Sequence, residues 1–97
     1  MFSIHESRGV FYLSGELDME SMEAFERVIG SGLDGTGEVV LDLADLTFID
    51  SMGVRTLALL SHRVGGGVVL RYPQDAVWRV LEMLQFDEIP GVRIIQD

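Results

Sequence analysis

Apolar residues along this chain fall into short alternating or continuous runs, separated by stretches of helical spacing. Residues 2–7, FSIHES, set Phe2 and Ile4 against Ser3 and His5. Residues 10–16, VFYLSGE, resume the pattern after Arg8-Gly9, and the two runs read as a β-hairpin. Asp18 then stands where a helix N-cap belongs, with Glu20 in the first turn, where the dipole favours an acid. Leu17 before the cap and Met22 after it suit a hydrophobic staple. Met22, Phe25, Val28, Ile29 and Leu33 recur at helical spacing, and the cluster Gly30, Gly32, Gly35, Gly37 ends that helix.

Residues 38–43, EVVLDL, predict a strand. Ala44, Asp45 and Leu46 make a short connection, and Thr47-Phe48-Ile49 lead into Asp50-Ser51. A very apolar helix follows from about Met52 to Val64. Its inner stripe is Val54, Leu57, Leu60 and Val64, widened by Ala58 and Leu59, and Gly65-Gly66-Gly67 stops it. Residues 68–72, VVLRY, form a strand whose apolar start suits a buried parallel position. Pro73 and Asp75 begin a third helix, with Val77, Val80, Leu81 and Leu84 facing inward and Trp78 partly buried beside them. A last strand spans Val92 to Ile95. The order β-β-α-β-α-β-α-β predicts an α/β domain with a mostly parallel sheet.

Composition narrows the function. The 97 residues have the size of one domain, and 47% of them are hydrophobic, enough for one core. Sixteen acids stand against seven arginines and no lysine, for a net charge of −9. Such a domain repels nucleic-acid phosphates and anionic membrane surfaces. The missing lysine excludes Schiff-base chemistry and a Walker A loop. The missing cysteine excludes disulfides, thiolate catalysis and cysteine zinc sites. The acidity serves either solubility or a partner with a basic surface. No signal peptide and no run of about 18 apolar residues is visible, so a cytoplasmic location is expected.

Several apparent motifs fail on context. Gly30-Ser31-Gly32-Leu33-Asp34-Gly35 matches G-x-G-x-x-G, but it closes a helix and precedes a strand, the reverse of a dinucleotide site. A serine hydrolase elbow needs glycine where Ile49 stands. His62, eleven residues after Ser51 on the same helix, lies about 16 Å away, too far to act as its base. His62 instead suits a helix C-terminus. No catalytic residue, metal site or cofactor is expected. The informative place is Asp50-Ser51 at the head of the second helix. Ser51 is there either a simple N-cap or a phosphoryl acceptor, because free amides and the dipole stabilise an anion. Gly53 costs about 1 kcal/mol of helix propensity and leaves room for a partner approaching Ser51. Arg55 reaches a phosphate, pairs with Asp50, or is simply exposed.

At this segment the chain resembles a known family. Residues 43–54, LADLTFIDSMGV, are similar to the signature of the STAS domain, and more narrowly to the bacterial anti-sigma factor antagonists. Ser14-Gly15-Glu16-Leu17-Asp18 resembles a second family element, the turn before the first helix. Gly66-Gly67-Val68-Val69-Leu70 resembles the glycine-led strand after the second helix. The likeness spans essentially the whole chain, implying one STAS-type domain over residues 1–97: an α/β fold with a mixed, mostly parallel sheet, helices packed on it and the first strand antiparallel at an edge.

The resemblance implies a regulatory binding protein and no enzyme. In such a family the unmodified protein binds an anti-sigma factor, itself a serine kinase of the histidine-kinase-like ATPase class, and so frees the sigma factor. The kinase phosphorylates the serine matching Ser51, the complex dissociates, and a metal-dependent serine phosphatase restores the protein. The implied contact surface includes Gly15, Asp18, Asp50, Ser51, Met52, Gly53 and Arg55. A non-switching STAS subunit docked on an ABC-type lipid transporter ATPase is the alternative. Two departures stand out. Met52 replaces the second hydroxyl residue common after the phosphosite, and the stretch from Ser51 to Gly66 is about one helical turn shorter than usual.

Overall fold

The computed structural model describes residues 1–33 and 37–96. Gly35, one of the glycines expected to end the first helix, lies outside them. Strands β1 (Ser3–Ser7) and β2 (Val10–Leu17) form the expected hairpin around Arg8-Gly9. Strands β3 (Val39–Ile49), β4 (Val68–Arg71) and β5 (Val92–Ile95) follow β2 in sheet order and run parallel to it, leaving β1 as the antiparallel edge. The crossovers are α1 (Met22–Gly32), α2 (Ser51–Ser61) and α3 (Asp75–Met83). Each crossover advances one strand in the same direction, so right-handed connections place all three helices on one face of the sheet.

The core agrees with that arrangement. Phe11 and Leu13 of β2, Leu41 and Leu43 of β3, and Val68 and Leu70 of β4 share one buried cluster with Phe25, Ile29, Leu57, Leu60, Val77 and Leu81 of the helices. The opposite face carries the register row His5, Tyr12, Asp42, Arg71, Ile95. There Arg71 Nε donates to Asp42 Oδ2 at 2.8 Å, and His5 stacks on Tyr12. The Asp42 hydrogen bond is the main cause that raises the Arg71 guanidinium pKa above its ordinary value.

Strand β3 departs from expectation. The alternation predicts a strand over 38–43 and a connection at Ala44, Asp45 and Leu46, yet β3 continues to Ile49. Two register shifts against β2, between Tyr12 and Ser14 and between Gly15 and Glu16, each add a residue to β3. Its buried positions then fall at Leu43, Leu46 and Ile49, every third residue, with exposed pairs between them. That spacing hides the strand from a search for period two.

The helices are shorter than their patterns. Helix α2 ends at Ser61, because His62 N–H and Arg63 N–H turn back to the Leu59 and Leu60 carbonyls in tighter i−3 bonds. Val64 is buried beyond the helix end. Leu59 does not widen the inner stripe; at 52% exposure it faces outward. Leu84 caps α3 and is 48% exposed, so it leaves the core face that Val77 and Leu81 keep. Trp78 is partly buried as expected. Leu57→Ala should cost about 2–5 kcal/mol in urea unfolding, from lost burial and the cavity left behind. Leu59→Ala should stay within about 0.5 kcal/mol.

Candidate functional site

In a parallel sheet the helices that follow β2 and β3 begin at the same end. Here that end brings the Gly15–Asp18 segment beside Asp50 and Ser51. Residues Leu17 and Ile49 are register partners, and the Asp50 N–H donates to the Leu17 carbonyl at 3.3 Å. The two segments that the sequence singled out, about 30 residues apart, are therefore neighbours.

Asp50, rather than Ser51, is the N-cap of α2. Its backbone is extended, and its Oδ1 accepts from the Gly53 N–H at 2.8 Å. Ser51 is the first helical residue, is exposed, and makes no side-chain hydrogen bond among the described residues. The simple capping reading of Ser51 is thus corrected: a carboxylate already satisfies the amide, and the serine hydroxyl is left free. Asp18 does cap, but it caps the one-turn 3-10 helix Met19–Ser21 that precedes α1. Its Oδ1 accepts from the Glu20 and Ser21 N–H groups at 3.1 and 3.2 Å. The Ser21 hydroxyl accepts from the Asp18 N–H and donates to the Glu16 carbonyl at 2.6 Å, closing a capping box.

Gly53 has a different role from the one expected. It is buried, and a Cβ there would lie 2.5 Å from the Leu17 carbonyl oxygen and 2.7 Å from Ile49 Cγ1. Its bare backbone seats the head of α2 against the end of β2, rather than clearing a path for a partner. Gly15 takes φ +86°, a conformation that costs an L side chain strain, and its carbonyl accepts from Thr47 Oγ1 at 3.1 Å.

Met52 and Arg55 are exposed, and Asp18 and Asp50 are half-buried. Arg55 makes no ion pair with Asp50 or with any other described residue. The structure adds two residues that sequence reasoning missed. Met19 is 70% and Phe48 49% exposed, and Met52, from the same end of the sheet's helices, is 43% exposed. Met19 falls between the Asp18 cap and the stripe that starts at Met22, and Phe48 in the lead into Asp50-Ser51, so periodicity gave neither a role; the 3-10 turn and the bulged β3 carry them. Glu16, Asp18, Glu20, Asp45 and Asp50 lie within three residues of Met19 or Phe48 along the chain. A hollow of about 300 Å³ is lined by the N-terminal Met1 and Phe2 together with Glu16, Asp18, Glu20, Ser21 and Ala24. Exposed apolar side chains interspersed with acids suit a basic protein surface.

His62 caps the far end of α2, and His5 stacks on Tyr12 in the sheet, so neither is placed as a base for Ser51. Among the described residues no cluster of three or more His, Asp or Glu is arranged to hold a metal ion. Among them, too, no helix is long and apolar enough to cross a membrane.

This fold and helix head define a class. Residues 2–97 match the family described as STAS domain, and the chain belongs to that family. Among curated relatives it is 32% identical to anti-sigma-F factor antagonist RsfB of Mycobacterium tuberculosis, over 92% of this chain and 84% of that protein. Two solved structures share the fold. One, from Thermotoga maritima, is described as a candidate anti-sigma factor antagonist; it is 25% identical, with a TM-score of 0.79, covering 99% of this chain and 86% of its own. The other is an anti-sigma factor antagonist from Mycobacterium paratuberculosis, 29% identical with a TM-score of 0.72, covering 96% and 84%.

The seating of α2 on β2 has a measurable sign. Helix propensity alone makes Gly53→Ala stabilising by about 1 kcal/mol. The contact with Leu17 should reverse this, to a loss of about 1–3 kcal/mol in chemical denaturation. Asp50→Ala should cost about 1 kcal/mol through the lost cap.

Proposed function

We propose that this chain is an anti-sigma factor antagonist, a binding protein and not an enzyme, whose residues 1–97 act as one STAS domain in the cytoplasm. Its unphosphorylated form docks on an anti-sigma factor through Gly15, Asp18, Asp50, Ser51, Met52 and Arg55, together with Met19 and Phe48. Docking releases the sigma factor. The names of the relatives support this reading over a transporter subunit, and the observation that carries it is the free, exposed hydroxyl of Ser51. The anti-sigma factor acts as a serine kinase: the γ-phosphoryl group of ATP passes to Ser51 Oγ, ADP leaves, and the hydroxyl proton goes to the kinase or to solvent. A serine phosphatase reverses the step with water. No cofactor enters on the side of this chain.

The switch follows from charge. A phosphoserine adds about −1.5 to −2 at neutral pH. At Ser51 that charge joins the half-buried Asp50 and Asp18 within the docking patch. Docking must then desolvate it beside two like charges, which weakens the complex.

Incubation with ATP and the anti-sigma factor kinase from the same genome should add one phosphoryl group in intact-mass analysis, absent in Ser51→Ala. Ser51→Ala should keep its affinity, and Ser51→Asp should lose about tenfold or more, equal to about 1.4 kcal/mol. Modification at another residue, or an Asp variant that binds as tightly as wild type, would refute the switch.

A further inference from the structure

Helix α2 presents one outward stripe. Ser51, Arg55, Leu59 and His62 are all exposed, while Gly53, Val54, Leu57 and Leu60 are buried. Ser51 and Arg55 are therefore on the same face, one turn apart, the spacing at which side chains of opposite charge meet. Glu23 and Arg27 in α1 show the same i, i+4 pairing in this protein, at 3.2 Å.

The other arginines are differently employed. Arg27, Arg63, Arg71 and Arg93 are paired with Glu23, Glu26, Asp42 and Glu38. Arg8 lies in the hairpin turn that precedes β2, at the opposite end of the sheet from Ser51, and Arg79 lies within α3. Arg55 remains free of ion pairs among the described residues, in a chain with sixteen acids. Asp50, its nearest acid in sequence, spends Oδ1 on the Gly53 N–H. The cation stands in reserve beside a hydroxyl that also lacks a partner.

We infer that Arg55 is a positioning residue for phosphorylated Ser51: its guanidinium folds back along α2 and holds the phosphate against the helix's outer face. This rests on the reading of Ser51 as the phosphoacceptor. The planar guanidinium donates to two phosphate oxygens at once, and the N-terminal end of the helix dipole favours the same anion. The phosphate is then a fixed, partly neutralised bulge at the head of α2. The off-state depends on where the group is held as well as on its charge.

The test uses full-length protein carrying phosphoserine installed at position 51 during translation, so no kinase is needed. The second ionisation of the phosphate, ordinarily near pH 6, is followed by 31P NMR. With Arg55 on the phosphate, the wild-type group should ionise at lower pH than in Arg55→Gln, by about half a pH unit or more. The gap should narrow at about 0.5 M salt, because the pair is exposed. Arg55→Lys should recover part of the gap, since it keeps the charge and loses the two-pronged geometry. Coincident titrations of wild type and Arg55→Gln would overturn the inference. So would a gap accompanied by an equal loss of melting temperature in the unphosphorylated variants, which assigns Arg55 a structural role. Failure of the kinase reaction removes the switch and leaves this difference standing. Coincident titrations remove the arginine contact and leave the switch standing.

Discussion

The close approach of the second helix to the end of the second strand is the constraint on which the site depends. A side chain at Gly53 would collide with the Leu17 carbonyl, and the Asp50 N–H bonds to that same carbonyl. One backbone oxygen therefore positions both the cap and the first turn of α2. Because Asp18 follows Leu17 directly, the contact also sets the distance between the Asp18 turn and Ser51. Moving the helix outward by the width of a methyl group would separate the two halves of the proposed docking surface.

A division of labour among polar groups follows. Asp50 and Asp18 are spent on backbone amides, and Ser21 ties the Asp18 turn to the Glu16 carbonyl. These bonds hold the loop ends rigid and leave Ser51 outside the network. A hydroxyl needed for capping would be a poor phosphoacceptor, since modification would break the helix start. A hydroxyl one residue later can gain and lose a phosphoryl group while the cap remains. Glu20 and Asp45 make no ion pair among the described residues and can meet a basic partner, while Met19, Phe48 and Met52 supply exposed apolar area.

Charge is arranged on the same plan. Ion pairs join α1 to the segment after α2 through Glu26 and Arg63, and join strands across the sheet through Asp42 and Arg71. The exposed Glu26–Arg63 pair contributes little stability, whereas the Asp42–Arg71 pair is largely buried. At the helix head, Arg55 is the arginine one turn from Ser51, and it makes no ion pair among the described residues. The net charge of −9 is thus less informative than its distribution.

The residues by themselves determined the element order, the hairpin and the helical stripes of α1 and α3, and they singled out the helix head proposed as the site. Those depend on local periodicity and on capping and turn residues such as Asp18, Arg8-Gly9, Pro73 and Asp75, whose effects act within a few positions. Only the tertiary structure decided the course of β3 beyond Leu43, because its two extra residues have meaning only against the register of β2. It also decided that Asp50 is the cap, that Gly53 faces inward, and that Leu59 and Leu84 leave the core. Each is settled by what lies across from the residue, and no pattern along one chain records its neighbour in space.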